Sequence, residues 1–416
     1  MSIPGLQSDV YKEGLKTWIA GKRGSKIMAE NSLEEKYRSA AGVVCRQGMF
    51  PFPVNDTTLA ILKHVIQDDE DELDLICAFG KKVSQTLEEL TVSSGFSPDK
   101  ADQLASSLAR KGLVFNQPNS AGVMIYRLLP LMNVGLMEYK FMTELTGDEQ
   151  ERELAHLFQA LLNGVRDQVQ ANYDTLVPAL KSAPPVDRTV PSRVTDDGKP
   201  IRIIPVDRKV AIPDEFVFPS QSVDEIIDKF DEIAVGHCFC RQRQKVLGKP
   251  CATNAPTRNC FTFGKSARHT VAQGFAEMVS KEEARRIMRE AEEAGLVHKA
   301  FHPGSNVSRP ETSICNCCKD CCDTLNLWRE GAFPLINSTY YLSVIDPDLC
   351  SGCGICVERC PTDAIRLNDE GTTAERDEKS CFGCGVCARF CPEGAISLQE
   401  GLRRVMVLPP RLRSDP

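Results

Sequence analysis

The sequence predicts a mixed α+β protein built from several domains, and three observations support that prediction. A chain of 416 residues is longer than one ordinary domain, so two to four domains are expected. Stretches with apolar residues at helical spacing alternate with short strand-like runs bounded by glycine and proline. Of the 19 cysteines, 17 lie between Cys238 and Cys391, which marks the second half of the chain as chemically distinct.

Composition and charge exclude several classes of protein. Apolar residues make up 42% and charged residues 26% of the chain, which is ordinary for a globular protein and argues against disorder. The net charge of −7 argues against nucleic acid as a partner. No stretch approaches the ~20 apolar residues of a membrane-spanning helix, and the N-terminus is charged where a secretory signal would be apolar. We therefore expect a cytoplasmic protein with no membrane span.

Residues 1–40 predict a charged N-terminal arm, and residues 41–150 predict a small helical domain that ends in a hairpin. Within this domain Ser97 and Pro98 have the types expected of a helix N-cap and a first-turn proline. Gly112 follows where a glycine commonly ends a helix. The elements predicted here are a helix over residues 86–93, a helix from Pro98 to Arg110, and strands over residues 113–115 and 123–129.

The order helix, turn, helix and hairpin resembles a winged-helix domain. A DNA reader needs cations to displace counterions from phosphate, but residues 41–150 contain 9 basic and 15 acidic residues, including the acidic run 68–72. We therefore expect this domain to dock a protein or to form an oligomer rather than to bind DNA. Cys45 and Cys77 lie far from the other cysteines and are predicted to be small buried apolar residues.

Residues 151–235 predict one helix and a proline-rich connector. Residues 181–219 contain seven prolines, which is typical of an extended, semi-rigid segment lying along the surface. Two serines are followed three positions later by glutamate, the pattern of a capping box. The first, Ser222, predicts a helix that runs to about residue 234, and the second, Ser280, predicts a helix that ends before Gly295.

The C-terminal part contains two copies of one cysteine motif. Both copies follow the spacing C-x2-C-x2-C-x3-C and are followed by proline, and they start 31 residues apart, at Cys350 and Cys381. A cubane has four iron corners that each need a thiolate, and the glycines between the cysteines leave room for it. In this motif the fourth cysteine binds the cluster of the other copy. The predicted ligand sets are Cys350, Cys353, Cys356 and Cys391 for one [4Fe–4S] cluster, and Cys381, Cys384, Cys387 and Cys360 for the other.

Residues 346–400 resemble a bacterial-type ferredoxin that carries two [4Fe–4S] clusters. The resemblance implies an α+β domain over residues 340–400, with a small hairpin sheet against two helices. It also implies one-electron transfer to or from a redox partner protein. Two zinc sites of C-x2-C type are the alternative, but zinc sites rarely repeat four cysteines at this spacing. Residues 401–416 form a tail rich in arginine and proline.

A second cysteine-rich domain is predicted over residues 236–335. Three interpretations of its thiols stay open: a third iron–sulfur cluster with ligands from both ends of the domain, a structural zinc site, or a site of thiol–disulfide or persulfide exchange. Adjacent cysteines such as Cys317 and Cys318 do not readily bind one cubane together, so the thiols need not all share one site. The candidate metal ligands are Cys238, Cys240, Cys251, Cys260, Cys315, Cys317, Cys318, Cys321 and Cys322.

Several charged or titratable residues lie beside these cysteines in the sequence. His237 is either a ligand or proton donor, or a packed loop histidine. Arg241 and Arg243 either offset the negative charge of a cluster or bind an anionic substrate, or they are ordinary surface charges. His298 and His302 are not expected to touch a metal. The sequence assigns no catalytic residue.

The order of a winged-helix-like segment, an H-C-x-C-R segment, an I-C-N-C-C-x2-C-C segment and a two-cluster ferredoxin resembles a group of 4Fe–4S-binding proteins from anaerobes. That resemblance implies an architecture and no particular reaction. The sequence has no G-x-G-x-x-G or G-x4-G-K-[ST] loop, so no nucleotide site is predicted. We expect an iron–sulfur electron-transfer protein, a subunit or accessory of an anaerobic oxidoreductase. The alternatives are a redox-sensing regulator and a reductase acting at residues 236–322.

Overall fold

A computed structural model describes residues 32–48, 51–205 and 220–412 of the chain. Most of the predicted N-terminal arm, residues 1–31, lies outside the described residues. The rest of the arm belongs to the first helix, α1, which spans Ser32–Val44.

The N-terminal part of the structure is mainly helical. Its elements are α1, α2 (Asp56–Ile66), α3 (Glu70–Ala78), β1 (Ser84–Thr86), α4 (Leu87–Ser94), α5 (Pro98–Arg110), β2 (Val114–Pro118), β3 (Met124–Leu128), α6 (Leu136–Phe141), α7 (Glu149–Ala171) and α8 (Tyr173–Ala179). The three strands form one antiparallel sheet in the order β1-β3-β2. The helices bury one apolar core, which also includes Leu327 and Ala332 from much later in the chain.

The predicted start and end of α5 are confirmed. The Ser97 side chain accepts a hydrogen bond from the backbone N–H of Lys100, Pro98 occupies the first turn, and the helix ends at Arg110. The first hairpin strand is longer than predicted and reaches Pro118, because Gln117 still pairs with Ile125 across the hairpin. Cys45 is buried in the core, as predicted, and its burial raises the pKa of the thiol to about 11.

In the rest of the chain that the structure describes, short helices are mixed with eleven strands. The helices are α9 (Val223–Lys229), α10 (Phe239–Val246), α11 (Lys265–Ala272), α12 (Lys281–Glu293), α13 (Asp323–Arg329), α14 (Ile355–Arg359) and α15 (Val386–Arg389). The strands are β4 (Asp187–Val190), β5 (Ile203–Ile204), β6 (Ile233–His237), β7 (Arg258–Phe263), β8 (Glu277–Val279), β9 (Val297–Phe301), β10 (Ser313–Cys317), β11 (Leu335–Ile345), β12 (Ile365–Leu367), β13 (Ala374–Arg376) and β14 (Ile396–Val407). Mixed helix and strand content is therefore present throughout the described chain.

One nine-stranded sheet joins the two cysteine-rich regions. Its order is β5-β14-β11-β4-β9-β10-β7-β6-β8, while β12 and β13 form a separate hairpin. The long strands β11 and β14 pair antiparallel from Leu335 and Val407 to Ile345 and Ile396. Residues 401–407 therefore continue β14 rather than belong to a separate tail. Among the described residues, no helix has the length and apolar composition needed to cross a membrane.

The connector does not lie entirely on the surface, and the prediction is wrong for β4. All four residues of this strand are buried, and the strand lies between β11 and β9 inside the large sheet. Asp187 accepts a hydrogen bond from Lys299 Nζ at 2.6 Å, and Arg188 pairs with Glu311 at 3.0 Å. The charged residues are buried because each has an opposite charge beside it, and a sequence pattern does not show such partners.

The two predicted capping boxes have different outcomes. Ser280 caps α12, which ends before Gly295 as predicted. Ser222 also accepts a hydrogen bond from the N–H of Glu225, but α9 ends at Lys229 instead of near residue 234. The longer helix is wrong because Ile233 already begins β6, whose residues pair with both β7 and β8. The pairing available in the sheet outweighs local helical preference.

Candidate metal centres

Two cavities in the C-terminal region are each lined by four cysteines. Each has about 330 Å³ of space between protein atoms. Three cysteines of each cavity come from one copy of the motif and the fourth comes from the other copy. The first cavity is lined by Cys350, Cys353, Cys356 and Cys391. The second cavity is lined by Cys360, Cys381, Cys384 and Cys387.

Glycines allow the chain to curl tightly around these cavities. Gly352 and Gly383 have φ values of 69° and 62°, in the left-handed region that favours glycine. A Cβ atom at Gly383 would lie 2.0 Å from the carbonyl oxygen of Tyr341, and one at Gly352 would lie 2.6 Å from that of Gly371. Any other residue would force the backbone apart. The donor set and this glycine-lined cradle fit a [4Fe–4S] cluster in each cavity.

Backbone N–H groups point at the cysteine sulfurs. The amide of Gly383 donates to Cys381 Sγ at 3.4 Å, and the amide of Ala364 donates to Cys360 Sγ at 3.3 Å. In the first cavity, the amide of Ala374 donates to Cys350 Sγ at 3.4 Å. Such bonds stabilise negative charge on a thiolate, which is one way in which a protein sets the potential of a cluster.

The two cavities differ in their exposure to solvent. In the first cavity Cys353 is exposed, and Cys350 and Cys391 are half-buried. All four cysteines of the second cavity are buried, and burial raises the pKa of Cys384 to about 12. The thiol is thus protonated at neutral pH until a metal displaces the proton. The cysteines of the first cavity are therefore more accessible to solvent than those of the second.

A third, larger cavity of about 460 Å³ lies in the upstream cysteine-rich region. Two of its cysteines lie at the junction of β6 and α10, and one lies on β7. Two more lie on β10, and the others lie in the segment before α13. Cysteines two positions apart on β10 face the same side of the sheet. The cysteines that line this third cavity are Cys238, Cys240, Cys260, Cys315, Cys317, Cys318 and Cys322. Cys251 and Cys321 do not line it.

The thiols of the third cavity contact one another. Hydrogen-bonding contacts join Cys238 to Cys240 and Cys317 to Cys322. A contact with Cys322, added to burial, holds the pKa of Cys317 well above its usual range. The contacts that Cys240 and Cys317 make with Cys322 lower its pKa, and Lys299 adds to this effect. Because the thiols are too crowded to ionise together, a bound cation would stabilise the full set of thiolates.

Two buried cations face these thiols. Lys299 is 2% exposed and lines the cavity; burial alone would lower its pKa, but Asp187 and the nearby thiols raise it. Arg241 is also 2% exposed and donates to the carbonyl oxygen of Pro256 at 2.5 Å. Although burial opposes its charge, the thiol of Cys238 raises its pKa. Both cations offset negative charge where thiolates gather.

The interpretation of Arg241 and Arg243 as ordinary surface charges is wrong, because both are buried. Arg243 forms a salt bridge with Asp323 and donates to Gln159 Oε1 at 2.9 Å. These contacts join α10 to α7 and α13. Arg243 therefore supports the cysteine segment, whereas Arg241 faces the thiols themselves. Pairing with opposite groups is what allows a guanidinium to be buried.

None of the three flagged histidines lines a described cysteine cavity. His237 Nδ1 lies 3.1 Å from Thr257 Oγ1, so this histidine packs at the end of β6 rather than in a loop. His298 Nδ1 lies 2.5 Å from Asn316 Oδ1, and His302 Nδ1 lies 2.7 Å from the carbonyl oxygen of Arg309.

Several residues at these sites were missed by reasoning from the sequence. Lys299 reaches the third cavity because β9 pairs with β10, and no local pattern indicates that pairing. Asp320 lies within 4.8 Å of the thiols of Cys251, Cys318 and Cys321. Its position between cysteines was a usable signal, because aspartate is itself a common metal ligand.

The second and third cavities are neighbours. Phe382 lines the second cavity, and the Lys299 ammonium, which lines the third, lies 5.5 Å from the centroid of the Phe382 ring. Cys384 of the second cavity packs in the same apolar cluster as Cys317 and Cys322 of the third. The sites are thus separated by a thin layer of side chains.

Comparisons with known proteins bear on the C-terminal region. Residues 349–396 match the family model of the 4Fe-4S dicluster domain. A probable ferredoxin of Methanosarcina thermophila is 59% identical over 27 residues, which is 6% of this chain and 47% of that protein. No solved structure matches the chain. The chain therefore has a C-terminal ferredoxin-like domain, and it spans less than half the length of the ferredoxin that it matches.

Proposed function

We propose that this protein carries single electrons between a redox partner protein and an iron–sulfur centre in the third cavity. The two sets of four crossed cysteines would hold one [4Fe–4S] cluster each, and these clusters supply one-electron transfer. The third centre would take its ligands from the thiols of Cys238, Cys240, Cys260, Cys315, Cys317 and Cys322. The oxidoreductase system to which the protein belongs would be anaerobic and cytoplasmic, because free thiols in such number need a reducing compartment.

The series of three neighbouring cysteine cavities, of which the first contains an exposed cysteine, carries this proposal. Cys353 leaves the first cavity open at the surface, where a partner can approach. The cysteines of the second cavity are buried, and this cavity packs against the third through Phe382 and Lys299. Lys299 also offsets the negative charge that the thiolates of the third cavity would bring. The arrangement supports a route from the surface to an interior centre.

Iron and acid-labile sulfide per chain, measured after anaerobic purification, test this proposal. Two cubanes alone give about 8 irons, and a third four-iron centre gives about 12. Cys260→Ser and Cys315→Ser should each reduce the iron in excess of 8. Cys77→Ser is the matched control, because this half-buried thiol lies outside all three cavities. A count of 8, with cavity thiols that form disulfides on mild oxidation, would instead support thiol–disulfide exchange.

The N-terminal sheet and helices support a winged-helix interpretation, because α3, β1, α4, α5, β2 and β3 follow one another in the order of that fold. In a DNA reader α5 would enter the major groove. Its neighbour Lys111 instead pairs with the buried carboxylate of Glu72 at 2.5 Å, and Lys100 pairs with Asp71 at 2.7 Å. Because these lysines are already paired with carboxylates of the same chain, they are less available to phosphate. This favours protein docking or oligomer formation over DNA binding.

A gel-shift assay with genomic DNA fragments separates the electron-transfer proposal from a redox-sensing regulator. We expect no shift at physiological salt in either the oxidised or the reduced protein. A shift that depends on redox state would support the regulator. Size-exclusion chromatography of the same samples reports whether the full chain forms an oligomer.

A further inference from the structure

We infer that Cys251, Cys318, Asp320 and Cys321 bind a single tetrahedral zinc ion at a site separate from the centre in the third cavity. The three sulfur atoms and one carboxylate oxygen all lie within 4.8 Å of one another. This site contains both upstream cysteines that do not line the third cavity. The zinc site is independent of the proposed electron route.

The size of the cluster indicates one ion rather than a cubane. Zinc–sulfur bonds of about 2.3 Å in a tetrahedron place the ligand atoms about 3.8 Å apart. The observed separations, all within 4.8 Å, need only a small contraction to reach that geometry. The corners of a cubane are separate iron atoms, each with its own thiolate, so a cubane holds its ligands farther apart.

The two pairs of adjacent cysteines are each divided between the sites. Cys317 contacts Cys322, and both line the third cavity. Cys318 contacts Cys321, and its sulfur lies with the zinc ligands although its residue also borders the cavity. Successive residues at the end of β10 point to opposite sides. The dense motif over residues 315–322 therefore serves two centres without placing adjacent thiolates on one ion.

The ligands of the inferred zinc site are held by neighbouring groups. The backbone N–H of Cys321 donates to Cys318 Sγ at 3.2 Å, so the C-x2-C turn is already formed. Asp320 Oδ2 accepts a hydrogen bond from the N–H of Ala252 at 2.6 Å, while its Oδ1 lies 3.6 Å from Cys251 Sγ. Such outer contacts orient ligands in zinc sites.

The donor set and its surroundings favour zinc in a structural role. Three thiolates and one carboxylate fill the four positions of a tetrahedron and leave no position for a substrate. Their combined charge of about −4 exceeds the charge of the ion, and the buried Arg241 interacts with Cys318 and Cys251. The arginine therefore offsets the remaining negative charge.

The inferred ion joins two segments that meet near the ferredoxin-like domain. Cys251 belongs to the segment between α10 and β7, and the other three ligands belong to the turn between β10 and α13. Lys319 of that turn pairs with Asp363 at 2.8 Å and donates to the carbonyl oxygen of Glu358 at 3.0 Å. An ion here would join these two segments beside the ferredoxin-like domain.

Elemental analysis of the anaerobically purified full chain tests the inference. We expect about one zinc per chain in addition to the iron. Cys251→Ser should remove the zinc and leave the iron unchanged, because Cys251 is half-buried and lies outside the third cavity. The matched variant Cys260→Ser should remove iron and leave the zinc. Absence of zinc in iron-replete protein, or loss of iron with Cys251→Ser, would overturn the inference.

X-ray absorption at the zinc edge provides a second measurement that needs no variant. The unaltered protein should show three sulfur neighbours at about 2.3 Å and one oxygen neighbour at about 2.0–2.2 Å. A zinc ion bound by nitrogen, or by oxygen alone, would contradict the assignment. Because the zinc edge reports only zinc, the iron of the other centres does not interfere, and failure of the electron-transfer proposal would leave this result intact.

Discussion

Gly354 and Gly385 occupy equivalent positions in the two cysteine motifs, directly after the second cysteine of each copy. Their φ values are 78° and 76°, so both have a left-handed backbone. Their surroundings differ, because a Cβ atom at Gly354 would meet nothing within 4 Å, whereas one at Gly385 would lie 2.7 Å from the carbonyl oxygen of Ser192. Of these two glycines, Gly385 lies against the connector and Gly354 does not.

Alanine at these two positions should therefore have unequal effects. Gly354→Ala should lower the free energy of unfolding by roughly 1 kcal/mol, the cost of a left-handed alanine. Gly385→Ala should cost about 3 kcal/mol, because crowding against the connector adds to the backbone strain. Anaerobic urea denaturation followed by circular dichroism measures both. Equal losses in the two variants would show that the contact with Ser192 is unimportant.

His269 is a buried titratable residue outside the cysteine cavities. It is 0% exposed, and among the described residues neither of its ring nitrogens has a hydrogen-bond partner. The ring packs against Phe115 at 4.6 Å and Tyr139 at 5.5 Å between ring centroids. Burial, with a small contribution from Arg127, lowers its pKa from 6.5 to about 4. The histidine is thus neutral in the folded protein at pH 7.

Because of this histidine, the free energy of unfolding should decrease as the pH is lowered. As the pH drops below 6.5, the unfolded chain binds a proton that the folded chain does not bind until about pH 4. The contribution of the neutral His269 to the free energy of unfolding is complete above pH 6.5 and is smaller by about 2 kcal/mol at pH 5. Denaturation of the wild-type protein and His269→Phe at both pH values measures it. The same decrease in both proteins would assign the pH dependence to other groups.

At the scale of elements, buried ion pairs determine how β4 and β9 lie in the large sheet. Asp187 on β4 and Lys299 on β9 have side chains that are 2% and 3% exposed. Lys299 also faces the thiols of Cys317 and Cys322. The same charge thus stabilises the contact between the strands and the third cavity.

Lys299→Met should destabilise the protein by roughly 3–5 kcal/mol, because Asp187 would remain buried without a partner. It should also lower the iron content in excess of 8, because the thiolates would lose a neighbouring cation. Lys229→Met is the control, since the side chain of this lysine is 42% exposed and its partner Glu311 would still be paired with Arg188. Its cost should be below about 1 kcal/mol. Similar melting temperatures and iron contents in the two variants would contradict the prediction.

At the scale of the whole molecule, the three cavities differ in their access to solvent. Cys353 of the first cavity is exposed, the four cysteines of the second are buried, and Cys238 and Cys315 of the third are half-buried. Because Cys353 is the one exposed cysteine in the described part of the chain, we expect the proposed redox partner to approach at the first cavity.

Exposure to air should therefore remove iron in two phases. The cluster proposed for the first cavity should be lost first, because oxidant reaches exposed thiolates most readily. This first phase should remove about 4 irons per chain. Timed exposure with iron analysis after desalting measures the phases. Cys353→Ser should lack the fast phase, since its outer site is already incomplete. A single phase in the wild-type protein would mean that exposure does not distinguish the sites.

Much of the fold and of the C-terminal sites could be predicted from local patterns. The start and end of α5 follow from Ser97, Pro98 and Gly112, which act on neighbouring peptide groups. The two cysteine motifs predict two clusters because most of each ligand set lies within a few residues of chain. The end of α9 was mispredicted, because pairing of Ile233 with distant strands outweighed a local helical signal.

The sequence by itself determined the chemistry of this protein: many thiolates, arranged for iron–sulfur clusters, in a chain of mixed helices and strands. Only the tertiary structure decided how the upstream thiols divide between a cavity and a separate group with Asp320. It also decided that Lys299 faces the thiols and that β4 lies inside the sheet. The physical reason is range: caps and motifs act within a few residues, whereas strand register joins residues far apart in the chain.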